Sequence, residues 1–134
     1  MNAGTLLHGE ISSVVARIGH TETLVISDCG LPIRGTAQRI DLALKRGVPG
    51  FLETLDTVLT ALPVKRVTLA SEIREASPRL LGEIQERFPG VEIQFVAHTE
   101  FKKRSESAVA VIRTGECTPF ANIILEADVA FSER

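Results

Sequence analysis

Three histidines (His8, His20 and His98) and two cysteines (Cys29 and Cys117) are the side chains of this 134-residue chain best suited to moving protons, holding metals or attacking electrophiles. Their spacing excludes several chemistries at once. No CxxC, HxxxH or HExxH occurs, so no metal site is expected. Neither GxGxxG nor GxxxxGK[ST] is present to cradle phosphates, and no GxSxG elbow presents a serine. Neither cysteine has a histidine adjacent in sequence, and small buried thiols most often act as hydrophobes. Acid–base chemistry remains, because a histidine titrates near neutrality and can give and take a proton in one turnover. His20 lies in Gly19-His20-Thr21-Glu22-Thr23, at the start of an apolar run. The plainer reading of His20 is a surface histidine favoured by a helix C-terminus, and His8 reads as a bystander of that kind.

Three more polar residues stand at the ends of apolar runs. Asp28 follows Leu24–Ser27, Glu72 follows Val67–Ser71, and His98 follows Val91–Ala97. In open α/β sheets ligands collect beyond the carboxyl ends of strands. Each of these residues could equally be a turn or cap residue, Asp28 especially, since aspartate readily closes an Asx-turn. Glu72 is the weakest candidate. Lys102-Lys103-Arg104 reads as a solvated helix face. Lys102 also shares a face with His98, four residues earlier, and could help hold a polar ligand.

These residues need a scaffold. The chain weighs 14.5 kDa and has room for one domain spanning 1–134. Its 44% hydrophobic and 24% charged residues exclude disorder. A net charge of −2 argues against nucleic-acid binding, and no run approaches the roughly 18 apolar residues of a membrane helix. MNAGTLLHGEISS has no basic region before a long apolar run, so no secretory leader is expected. Two cysteines make no disulfide framework, so the expected compartment is the reducing cytoplasm.

Helical and strand patterns alternate. Leu7, Ile11, Val14, Val15 and Ile18 fall at helical spacing, with Gly19 as the stop. A strand at Leu24–Ser27 and a short one at Arg39–Ala43 follow. Pro49 suits the first turn of a helix whose stripe is Phe51, Leu52, Leu55, Val58, Leu59 and Leu62, with Glu53 near its positive end. Val64–Ala70 is a strand. Ser77-Pro78 reads as N-cap and N1 of a helix carrying Leu81, Ile84 and Phe88. The strand Val91–Ala97, a helix over 99–106, and the strands Val109–Arg113 and Asn122–Leu125 complete the order. Alternation of this kind predicts an α/β fold, a three-layer α/β/α domain on a mixed, mostly parallel sheet. Only about eight residues separate the last two strands, too few for a helical crossover, so these two are expected to pair antiparallel.

The blocks Gly19-His20-Thr21-Glu22-Thr23-Leu24, Ser27-Asp28-Cys29-Gly30-Leu31-Pro32-Ile33, Arg39-Ile40-Asp41, Gly47-Val48-Pro49 and His98-Thr99-Glu100-Phe101-Lys102, with the run Val111–Leu125, resemble the family that unites D-ribose pyranases with L-fucose mutarotases. The match runs in order from the first helix to the last strand, and the wording is closer to the ribose branch. The resemblance implies a cytoplasmic isomerase without cofactor or metal. Such an enzyme interconverts pyranose and furanose ribose, so that a kinase can use the furanose. It implies a homo-oligomer, a decamer of two stacked pentamers. It assigns the general acid to His20 and sugar contacts to Asp28, His98, Phe120, Ala121 and Asn122. Where the family usually has tyrosine, this chain has Phe120, without a hydroxyl. Two other readings stay open: a sugar-binding module without turnover, and a mutarotase for another aldose such as L-fucose. His20 precedes a strand and Asp28 follows it. Five residues at about 3.3 Å each separate the two by roughly 16 Å, so a site containing both is expected to span two subunits.

Overall fold

A computed structural model describes residues 6–129. One six-stranded sheet has the order β2-β5-β1-β6-β3-β4, built from β1 (Thr23–Ser27), β2 (Gln38–Asp41), β3 (Val64–Ala70), β4 (Glu92–Val96), β5 (Ala110–Arg113) and β6 (Ile123–Ala127). Strands β1, β2 and β5 run parallel to one another, as do β3 and β4. β6 runs against both of its neighbours, β1 and β3. The sheet is therefore mixed and mostly parallel, as its sequence order predicts. The expected antiparallel pairing of the last two strands does not form. β1 lies between them, parallel to β5 and antiparallel to β6. Counting connecting residues excluded a helical crossover, but it could not show that segment 114–122 steps over the end of a third strand.

Alternation along the strands explains the layers. In β1, Leu24 and Ile26 face one core and Val25 the other; in β6, Ile123 and Leu125 part from Ile124 in the same way. The larger core is closed by α1 (Gly9–Arg17), α2 (Phe51–Leu59), α3 (Ile73–Ala76) and α4 (Pro78–Glu86) through Ile11, Val14, Phe51, Leu55, Ile73 and Ile84. The smaller core is closed by α5 (His98–Ser105) through the fully buried Phe101. The short α3 has too few residues to show a helical period, and the sequence pattern missed it.

Local details differ from expectation. His8 is the N-cap of α1, and its Nδ1 accepts the Ile11 N–H at 3.3 Å. Pro49 lies outside α2, whose N-cap is Gly50. The second strand ends at Asp41, not Ala43. Ser77 occupies the N-cap position of α4, but its hydroxyl donates to the Pro119 carbonyl at 2.8 Å instead of capping. A tertiary contact has taken the place of the local one.

Segment 114–122 is pinned along its length. The Thr114 hydroxyl and N–H both donate to the Ser27 carbonyl, at 2.7 and 3.1 Å. The Gly115 N–H donates to the Pro49 carbonyl at 2.9 Å. A Cβ on Gly115 would lie 2.5 Å from the carbonyl oxygens of Lys45 and Val48. Gly115→Ala is expected to destabilise the fold by about 1–3 kcal/mol, since backbone must move. Gly82→Ala, in mid-α4 with open space around its Cβ, should instead stabilise by roughly 0.5–1 kcal/mol. Thermal unfolding of the two variants should shift in opposite directions.

Candidate active site

The strand order places four side chains along one edge of the sheet. Asp28 ends β1, Asn122 precedes β6, Glu72 follows β3 and His98 follows β4, and these four strands are consecutive neighbours. Asn122 joins the others because β6 is antiparallel, so that its start meets the ends of β1 and β3.

Asp28 and Asn122 exchange hydrogen bonds. The Asp28 N–H donates to Asn122 Oδ1 at 2.9 Å, and Asn122 Nδ2 donates to Asp28 Oδ2 at 3.3 Å. Asp28 Oδ1 accepts the N–H groups of Gly30 and Leu31 at 3.0 and 2.9 Å. The Asx-turn reading of Asp28 is thus correct, and it coexists with a carboxylate oxygen aimed at Asn122. Burial pushes the Asp28 carboxyl above the usual carboxylate range, against the bonds from Gly30, Leu31 and Asn122 and the nearby His98.

His98 opens α5, whose N-cap, Ala97, offers no side-chain bond. Glu72 supplies the cap from β3: its Oε1 and Oε2 accept the His98 N–H at 3.0 and 3.2 Å. Hydrogen bonds from its own N–H and from that of His98 hold the Glu72 carboxyl below the usual range. The weakest candidate by sequence therefore anchors a stronger one. The imidazole of His98 meets the Phe120 ring edge-on, with centroids 5.0 Å apart. His98 Nδ1 is buried without a hydrogen-bond partner among the described residues. Ala121 is fully buried behind Phe120 and Asn122. Lys102 lies one turn along α5, in a polar cleft with Pro32, Arg34, Thr99, Lys103 and Glu106.

His20 is not brought to this edge. It lies at the opposite end of β1, where the Thr21 N–H donates to the Ala127 carbonyl and the Ala127 N–H to the Glu22 carbonyl, both at 2.9 Å. His20 Nδ1 is 3.7 Å from Asp128 Oδ1. Among the described residues, Thr21 (φ 71°) and Phe120 (φ 61°) are the non-glycine residues with positive φ. Left-handed backbone is strained for such side chains and gathers at functional sites. One of the two adjoins His20, and the other carries the ring against His98.

The fold and the Asp28–Asn122–His98–Phe120 edge define a small α/β protein whose polar strand ends meet beside an aromatic ring. The chain belongs to the RbsD / FucU transport protein family, whose profile matches residues 1–130. It is 47% identical over 134 residues to a D-ribose pyranase of Geobacillus kaustophilus, covering 100% of this chain and 98% of that one. It superposes with a TM-score of 0.91 on Bacillus subtilis RbsD complexed with D-ribose, at 38% identity, covering 98% of this chain and 100% of that one. A fucose mutarotase from Streptococcus pneumoniae in complex with L-fucose shares the fold, with a TM-score of 0.77 at 23% identity over 91% of this chain and 93% of its own.

A carboxyl-carbon NMR titration should place the Asp28 midpoint above that of an exposed aspartate. Because the folded state holds the proton more tightly, Asp28 contributes stability at low pH that is lost as pH rises through that midpoint. Asn122→Ala removes one bond to the charged form and should move the midpoint further up.

Proposed function

We propose that this chain is a D-ribose pyranase, an isomerase that interconverts the pyranose and furanose forms of ribose by acid–base ring opening and closure. The observation that carries the reading is the end-to-end likeness to a D-ribose pyranase and to a ribose-bound structure. The geometry supports it. Opening a pyranose needs a proton delivered to the ring oxygen and another removed from the anomeric hydroxyl. The aldehyde then recloses through a different hydroxyl. Sugar hydroxyls leaving water need paired donors and acceptors, which Asp28 and Asn122 offer beside His98 and the apolar face of Phe120. Ala121 shapes the backbone between those two contacts, and Lys102 extends the polar rim. His20 is the general acid in this reading, giving and taking the proton. The same reading makes the chain a cytoplasmic ring-based homo-oligomer, a decamer of two pentamers, that feeds furanose to a kinase. Among the described residues no helix is long and apolar enough to cross a membrane.

On this reading His20 does not reach a sugar held by Asp28 of its own chain, because β1 separates them by roughly 16 Å and the neighbouring Thr21 and Glu22 are bonded to Ala127 at the far end of β6. In this reading the active site is shared, with His20 of one subunit facing Asp28, His98 and Asn122 of another.

Proton NMR exchange between the pyranose and furanose anomeric signals of ribose should quicken with enzyme. His20→Ala should abolish the effect with the fold intact, and His20→Gln, of similar size but unable to cycle a proton, should be nearly as inactive. If either kept most of the rate, the acid is another group. Binding of ribose without faster exchange would make the chain a sugar-binding module, a reading that the missing hydroxyl of Phe120 favours; exchange of L-fucose alone would make it a mutarotase.

Inactive His20→Ala and Asp28→Ala subunits, dissociated and reassembled together, should recover part of the activity, since some interfaces pair two intact halves. No recovery in verified mixed oligomers would show that the site lies within one chain.

A further inference from the structure

The proposed chemistry uses neither cysteine, yet the sulfurs of Cys29 and Cys117 lie 3.7 Å apart across 88 residues of sequence. Both thiols are free. Backbone pairing brings them together. The Cys29 N–H donates to the Glu116 carbonyl at 2.9 Å, beyond the ends of β1 and β5, and sets Cys29 beside the residue before Cys117. Cys117 Sγ donates to the Gly115 carbonyl at 3.5 Å, so its sulfur is open to accept the S–H of Cys29.

The two thiols differ in access. Cys117 is exposed and Cys29 half-buried. Both line a cleft of about 300 Å³ whose other walls include Lys45, Arg46 and Arg113. Arg113 is committed, with Nε donating to the Cys29 carbonyl at 3.0 Å and Nη1 to Asp41. Lys45 and Arg46 make no side-chain hydrogen bond or ion pair among the described residues. The cleft is thus electropositive at its mouth, which favours an anionic visitor. The hydrogen bond to Cys117, with burial behind it, pushes the Cys29 thiol above the usual thiol range. The exposed Cys117 is the thiol that a visitor meets first.

We propose that Cys29 and Cys117 are a reversible dithiol modification site that is oxidised by a small carboxylate-bearing disulfide of the glutathione kind. The Cys117 thiolate attacks one sulfur of the visitor and forms a mixed disulfide, releasing the other half as a thiolate. Cys29 then loses its proton and attacks Cys117 Sγ, forming the Cys29–Cys117 bond and releasing the second half. Two protein thiols are oxidised, one external disulfide is reduced to two thiols, and the two protein protons end on them. The sulfurs must close from 3.7 Å to about 2.05 Å, within reach of a side-chain swing at exposed Cys117. The bond ties the turn after Asp28 to the segment that carries Phe120 and Asn122.

The test needs no sugar assay, so it stands apart from the isomerase reading. Reduced protein is incubated with oxidised glutathione at a pH near the free-thiol value of about 8.5, quenched in acid and read by intact mass and peptide mapping. The expected product is lighter by two hydrogens, carries a linked Cys29–Cys117 peptide and reverts with dithiothreitol. Amide exchange at 28–31 and 118–122 should slow in it. Cys29→Ser should instead stop as a stable glutathione adduct on Cys117, and Cys117→Ser should react far more slowly. Reversing both charges, with Lys45→Glu and Arg46→Glu, should slow oxidation by glutathione disulfide several-fold but not by the uncharged hydroxyethyl disulfide. The proposal is overturned if wild-type protein keeps both thiols, stops at the adduct as Cys29→Ser does, or links two chains.

Discussion

β6 holds the sheet together. It is hydrogen-bonded to β1 on one side and to β3 on the other, and without it the sheet divides into β2-β5-β1 and β3-β4. An interior strand satisfies its backbone donors and acceptors on both sides, and with a helix layer on each face of the sheet it must be apolar on both faces. Ile123, Ile124 and Leu125 meet that demand, one core taking the outer two and the other core the middle one. Its direction matters as much as its place. Because β6 is antiparallel, its first residues meet the last residues of β1 and β3, and Asn122 comes to lie against Asp28.

The same arrangement forces segment 114–122 across the end of β1, and the segment repays the helices. Gly50 gives α2 no side-chain cap, so Glu116 Oε1 accepts the Phe51 N–H at 2.9 Å instead. Burial would raise that carboxyl, but the bonds from Phe51 and Thr118 prevail and hold it below the usual range. Glu72 does for α5 what Glu116 does for α2. Both carboxylates sit where orphan N–H groups and the positive end of the helix dipole meet them. Two helices on opposite faces are thereby tied to the loops at the strand ends.

Rigidity of this kind suits a ligand recognised by hydroxyl geometry. Asp28, Asn122 and the backbone of His98 are held by bonds from neighbouring strands and loops, and Phe120 stands on a left-handed backbone. At the far edge the residues after His20, Thr21 and Glu22, are bonded to the end of β6. His20 and Asp28 thus stand at opposite ends of one strand.

Much of this was legible in the residues alone. Period and punctuation located the strands and all but the shortest helix, because burial of one or both faces writes itself into side-chain order. Strand ends pointed to Asp28 and His98, and a residue count along β1 separated His20 from them. Chain order could not show which strands are neighbours, since pairing depends on how loops pass over one another in space. The position of β6, the caps from Glu72 and Glu116, the diversion of the Ser77 hydroxyl to Pro119 and the meeting of Cys29 with Cys117 all follow from that neighbour order. Local sequence determined the elements and their apolar faces; only the tertiary structure decided which polar groups meet, because those contacts join residues tens of positions apart.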